Sequence, residues 1–194
     1  MGFSGHLVFG RSERSLLEAS AFNGIHRELK ETVHAWPPRP QGWQTLQLDH
    51  GLWEEEDLCA LVECTGQAAC VADVYDSDVA LVTGMSADGQ NWQACLNLQV
   101  AAALWAEEPE DLYDQSMWVN TPEFNEAVQR KRAELDAEVP TSAQGALAWA
   151  AAAGVGDAAG QSEIEDLLRS QQTFVEELFD ALLDRLGFPE AAQR

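Results

Sequence analysis

The sequence predicts an α+β fold, on three observations. Residues 69–97 contain three β-rich runs separated by turn residues, and strand-like runs also stand at 6–10 and 43–48. From residue 98 onward the apolar spacing changes to a helical period and holds it to residue 187. A chain of 194 residues suits one such domain, and at 46% hydrophobic it buries a core without help from disulfides or metal. The expected architecture over residues 1–194 is a mixed or antiparallel sheet of four to five strands in the half 1–97, with two helices packed on it. A helical half, 98–194, covers the other face or forms a lobe, with a Gly-rich linker at 154–161 joining its last helix.

In chain order, His6-Leu-Val-Phe-Gly10 reads as the first strand. Residues 23–35 predict a helix capped by Asn23, with Ile25, Leu29 and Val33 on one face. Trp36-Pro-Pro-Arg-Pro40 ends it, because proline removes donors and pushes the residue before it extended. That stretch reads as a rigid connector packed by Trp36 and Trp43, and the strand 43–48 follows. Glu54-Glu55-Glu56-Asp57 then opens a helix over 52–65, where first-turn carboxylates suit the positive end of the helix dipole.

The meander is the most legible part. Ala69–Tyr75, Val79–Met85 and Asn91–Asn97 are joined by short separators of turn residues, which predicts antiparallel pairing. In the third run Trp92, Ala94 and Leu96 alternate with Gln93, Cys95 and Asn97, one covered face against one open face. Beyond it, 98–106 is an Ala-rich helix. Thr121-Pro122 caps a second, whose stripe of Phe124, Val128, Lys131, Leu135 and Val139 stops at Pro140. Residues 143–153 follow as a further Ala-rich segment. Ser162–Leu186 closes the chain as a single helix, with Ser162 and Glu165 as a capping box and an apolar stripe through Leu168, Leu178 and Leu182. A stripe so wide must pack on the sheet or on a second copy, so the chain is expected to be a monomer or a homodimer through this helix.

Charge excludes whole classes of function. Eleven Lys and Arg stand against 33 Asp and Glu, a net charge of −22. A nucleic-acid partner and an anionic membrane both require a basic surface, so neither is expected. Residues 40–129 contain seventeen acids and no Lys or Arg, so their carboxylates must face water, a basic segment elsewhere or a cationic partner. Acidic surface also serves solubility alone. The N-terminus lacks a basic start and a long apolar core, no window reads as a membrane span, and Cys59, Cys64, Cys70 and Cys95 read as free, buried thiols. With nine Arg to two Lys and abundant Ala, the expected setting is a bacterial cytoplasm.

No motif names a reaction, and no cofactor is implied. Gly154-Val-Gly156-Asp-Ala-Ala-Gly160 imitates a dinucleotide fingerprint, but a helix rather than a strand precedes it, so it reads as a linker. Asp73, Asp76, Asp78 and Asp88 gather around the meander turns, yet their spacing lacks the third ligand, the Gly and the closing Glu of a calcium loop. Cys59, Cys64 and Cys70, with His50 nearby, have the wrong spacing for structural zinc. His6, His26, His34 and His50 all fall in the first fifty residues without a local signature.

The favoured expectation is therefore a non-enzymatic interaction module binding a cationic protein, as an immunity protein meets a nuclease toxin or a DNA mimic meets its target. Glu54, Glu55, Glu56, Asp57, Asp76 and Asp78 would supply the field, with Trp53 and Trp118 as aromatic anchors. The alternative is a small enzyme or ligand-binding protein. It would use Asp73, Asp76, Asp78 or Glu54–Glu56 in an acidic cleft with a divalent cation.

Overall fold

The computed structural model describes residues 2–107, 118–119, 121–155 and 158–188. Its centre is a sheet of six antiparallel strands in the order β2-β3-β1-β4-β5-β6. The strands are β1 Gly5–Arg11, β2 His34–Ala35, β3 Trp43–Asp49, β4 Ala69–Tyr75, β5 Val79–Met85 and β6 Asn91–Leu96. The α-helices are α1 Arg27–Lys30, α2 Glu55–Thr65, α3 Leu98–Leu104, α4 Pro122–Ala152, α5 Gln161–Arg169 and α6 Val175–Arg185. The meander falls where its turn residues put it. The strand beyond the four to five expected is the two-residue β2, and among the described residues no strand pair is parallel.

Alternation along the strands gives the sheet two unlike faces. Leu7 and Phe9 of β1, Cys70, Ala72 and Val74 of β4, and Trp92, Ala94 and Leu96 of β6 join Trp43 on one face. Helices α4, α5 and α6 cover them. At its heart Phe9 stacks on Trp43 with centroids 4.9 Å apart, and Phe188 meets Trp43 at 4.7 Å and Trp149 at 5.1 Å. The other face carries Val8, Leu46, Leu48, Ala69 and Val71 under α2 and the turns at Leu16–Glu18 and Ser20–Phe22. A third, smaller cluster, with Ala102, Trp118 and Val128, ties α3 to the start of α4.

Four departures from the sequence reading have physical causes. The helix expected over 23–35 is one turn, Arg27–Lys30, with no buried residue, and the chain then pairs His34 and Ala35 with β3. So short a helix needs packing to persist, and Leu29 is exposed. Next, α4 does not stop at Pro140. An interior proline costs about 3 kcal/mol, but Val139, Ala143, Ala146, Trp149 and Ala150 are buried on the sheet, and Pro140 itself is exposed. Packing wins there.

The third departure is the break in the last helix at 170–174, which yields α5 and α6. Asn97, buried in the left-handed conformation (φ 59°), donates from Nδ2 to the carbonyls of Asp78 and Gln172 and accepts the Gln172 N–H at Oδ1. The Val175 N–H goes to the Ser77 carbonyl at 2.8 Å. An unbroken helix would strand a buried amide, at a cost of about 1–3 kcal/mol. The cap is then Gly160 rather than a Ser162 box. The apolar face of α6 is spent on the sheet of its own chain: Val175, Leu178, Phe179 and Leu182 are all buried in the central core. Finally, Cys59 and Cys64 are exposed on α2, while Cys70 is buried. Residues 156 and 157 of the expected linker lie outside the described residues, but Ala159 is pinned by its N–H to the Arg185 carbonyl at 2.7 Å.

Candidate functional site

Strand register assembles a polar cluster at one end of the sheet. β1 lies between β3 and β4, with Leu48 and Asp73 directly opposite His6 on its two sides. Tyr75, two residues beyond Asp73, shares its face, and β3 runs out into the turn that holds His50. The rings of His6 and His50 meet edge to face at 5.7 Å, and His50 lies 6.2 Å from Tyr75. Tyr75 donates its hydroxyl proton to Asp73 Oδ2 at 2.9 Å. His6 Nε2 stands 3.4 Å from Asp73 Oδ1. One ligand atom each from His6, His50 and Asp73 lies within 4.8 Å of the others.

Protein contacts leave part of this group unpartnered. Asp73 Oδ1 and His6 Nδ1 are buried atoms without a hydrogen-bond partner, the 3.4 Å approach to Nε2 being off hydrogen-bond geometry. Burial holds the His6 pKa below its ordinary value; the Asp73 carboxylate pulls it back up, His50 lowers it further, and Glu54 opposes. The Tyr75 phenol is raised, first by its hydrogen bond to Asp73. A neutral imidazole beside a carboxylate held by a phenol is a set of electron-pair donors. It is suited to accept a cation or a proton.

Of the acidic residues singled out by the sequence, Glu54 and the β4–β5 turn lie near this cluster. Glu54, Glu55 and Glu56 are exposed at the start of α2, and the charge of Glu54 reaches His6. Asp57 is half-buried and accepts the Glu54 N–H at 2.8 Å as a cap. Asp76 and Asp78 are exposed in the β4–β5 turn, where Asp76 accepts the Gly2 N–H at 2.7 Å. Asp88 belongs to the β5–β6 turn at the opposite end of the sheet and caps it against Ser86, so the four meander aspartates do not form one site. Trp53 is buried against Phe22 and Trp118 against Phe124, so neither ring stands at the surface. The residues that sequence reasoning missed are His6, His50 and Tyr75. They come from different segments, and only the register of β1 with its neighbours joins them.

The ion pairs made by Lys and Arg are concentrated on the helical layer. Arg39 is buried and pairs with Asp180 and Asp184, Arg169 with Asp136 and Glu165, and Arg185 with Glu163. All of these acids are on the helical layer. Among the described residues, Asp49, Glu54, Glu55, Glu56, Asp76 and Asp78 form no ion pair with Lys or Arg. A hollow of about 720 Å³ lies at the far end of the sheet between Arg11, Glu13, Gln41 and Cys64, and another of about 630 Å³ is lined by Glu55, Thr83, Gln93 and Glu138. No helix among the described residues is long and apolar enough to cross a membrane.

No protein-family model matches the chain, and no curated protein or solved structure is significantly similar to it.

Proposed function

We propose that this chain is a protein-interaction module whose acidic end engages a cationic protein partner. The observation that carries the reading is a run of exposed carboxylates in a stretch without a basic residue. Arg39, Arg169 and Arg185 pair with acids of the helical layer, whereas residues 40–129 contain no Lys or Arg, and among the described residues Glu54, Glu55, Glu56, Asp76 and Asp78 of that stretch stand exposed and form no ion pair with Lys or Arg. Uncompensated like charges repel one another and gain most when a partner of opposite sign replaces water and salt. The same field repels nucleic acid and anionic lipid. With Trp53 and Trp118 buried, exposed aromatics near the acidic segments among the described residues include Tyr75, Trp105 and Phe174. Tyr75 borders the acidic turn directly.

The test is affinity capture from a native lysate with the wild-type chain and with a Glu54→Gln/Glu55→Gln/Glu56→Gln variant. Removing charge rather than reversing it leaves the α2 start free of repulsion from the helix dipole. A basic protein captured by the wild type should associate more slowly as salt rises past the point where the screening length falls to about 8–10 Å. It should also associate more slowly with the variant. An acidic partner, or binding indifferent to both salt and the substitutions, leaves the carboxylates as a solubility device.

A further inference from the structure

We infer that His6, His50 and Asp73 form a binding site for a divalent transition-metal ion of the zinc class. The inference is independent of the partner reading, since it rests on donors rather than on net charge.

Geometry comes first. Donor atoms about 2.0–2.2 Å from one tetrahedral ion stand roughly 3.3–3.5 Å from each other. His6 Nε2 and Asp73 Oδ1 are already 3.4 Å apart, and they are fixed there by a directly opposed pair in the β1–β4 ladder. The third donor, His50, lies within the same 4.8 Å group. It sits exposed in the turn after β3, so closing the last ångström displaces a turn side chain and not the sheet.

Chemistry narrows the ion. Two imidazoles and one carboxylate suit zinc and its neighbours, whereas calcium and magnesium select all-oxygen shells. A buried carboxylate oxygen without a donor carries a desolvation cost that a bound cation removes. Asp73 Oδ1 is such an oxygen, and it is the one that faces His6. Its partner Oδ2 is held by the Tyr75 hydroxyl, the kind of outer contact that orients a ligating carboxylate. Glu54 adds negative potential nearby without belonging to the group. Three protein donors leave a fourth position to solvent, as in zinc sites that exchange a bound molecule.

The experiment uses the untagged full chain after chelator treatment. Zn²⁺, Co²⁺, Mg²⁺ and Ca²⁺ are titrated separately by calorimetry, and the Co²⁺ titration is also followed by visible absorption. The expected result is one Zn²⁺ per chain, a Co²⁺ spectrum of low coordination number, and no heat from Mg²⁺ or Ca²⁺. His50→Ala, at an exposed position that the fold does not need, should weaken Zn²⁺ binding by at least about tenfold, and Asp73→Asn should do the same. His26→Ala and His34→Ala, whose side chains are exposed elsewhere, should leave it unchanged. Circular dichroism of each variant separates loss of the site from loss of the fold, and His50→Ala decides the matter if Asp73→Asn does not fold. Absence of Zn²⁺ binding, binding undiminished in folded His50→Ala, or preference for Mg²⁺ or Ca²⁺ overturns the site.

Discussion

The two faces of the sheet are built from alternate residues of the same strands, yet they do different work. The face under α4, α5 and α6 carries Phe9, Trp43, Val82 and Leu96, all of them buried, with Phe188 and Trp149 closing over them. Among the described residues, the other face is covered only beneath α2 and the turns at Leu16–Glu18 and Ser20–Phe22. Toward the β4–β5 turn it carries His6, Asp73 and Tyr75, and toward β6 it carries Leu81, Thr83 and Gln93, which are wholly or partly exposed. One face is spent on stability. The other keeps its donors and charges available, and the contrast shows how a sheet of modest size makes room for a site without a deep cleft: it leaves a corner of one face uncovered.

The contrast predicts where substitutions hurt. The largest effect belongs to the covered face. Phe188→Ala removes a ring packed on Phe9, Trp43 and Trp149 and should cost about 3–5 kcal/mol in urea unfolding. A loss below roughly 1 kcal/mol, the scale of a peripheral contact, would mean that the chain end does not close the core.

Next in size is the close approach inside the β5–β6 ladder. Gly84 lies opposite Trp92, and a Cβ there would stand 2.0 Å from the indole Nε1. Gly84→Ala forces Trp92 from its place and should cost about 1–3 kcal/mol, as overpacked sites do. A neutral result in a thermal melt would show that Trp92 has another rotamer open to it.

On the open face the effects are smaller and depend on pH. His6 has its pKa lowered in the fold, so the unfolded chain binds its proton more readily. Stability contributed by neutral His6 is therefore complete above the ordinary value of about 6.5 and falls as pH drops from there toward the folded value. Stability curves of the wild type and His6→Gln, compared at pH 7.5 and pH 5.5 on the two sides of that roughly 6.5 reference, should differ in slope. Parallel curves would show that His6 is protonated equally in both states.

The smallest effects lie at the rim. Glu55→Gln should shift stability by no more than about 0.5 kcal/mol, because an exposed carboxylate without an ion pair has little to lose. Thiol labelling sharpens the same boundary without perturbing it. Cys59 and Cys64 should react in the native protein, while Cys70 stays protected by burial and Cys95, its thiol pushed up to about 12 by desolvation, reacts slowly. Four equally fast thiols would mean that the sheet opens.

Much of this was legible before any coordinates. Period-two alternation and turn residues defined the meander, Thr121-Pro122 marked the start of α4, and the acidic run marked the start of α2. These signals are local, since each depends on neighbours within a few positions. The sequence by itself also determined the −22 charge and the wide apolar stripe that had to be covered.

Tertiary structure decided the rest, wherever a long-range contact outweighed a local preference. Burial against the sheet carries α4 through Pro140, while the hydrogen-bond needs of Asn97 break the last helix at Gln172. Arg39, in what reads as a proline connector, is claimed by Asp180 and Asp184 from the far end of the chain. The corner of His6, His50 and Asp73 is the same kind of result. Its members lie up to 67 positions apart, no spacing rule links them, and only the register of β1 between β3 and β4 puts their donor atoms within one ion's reach.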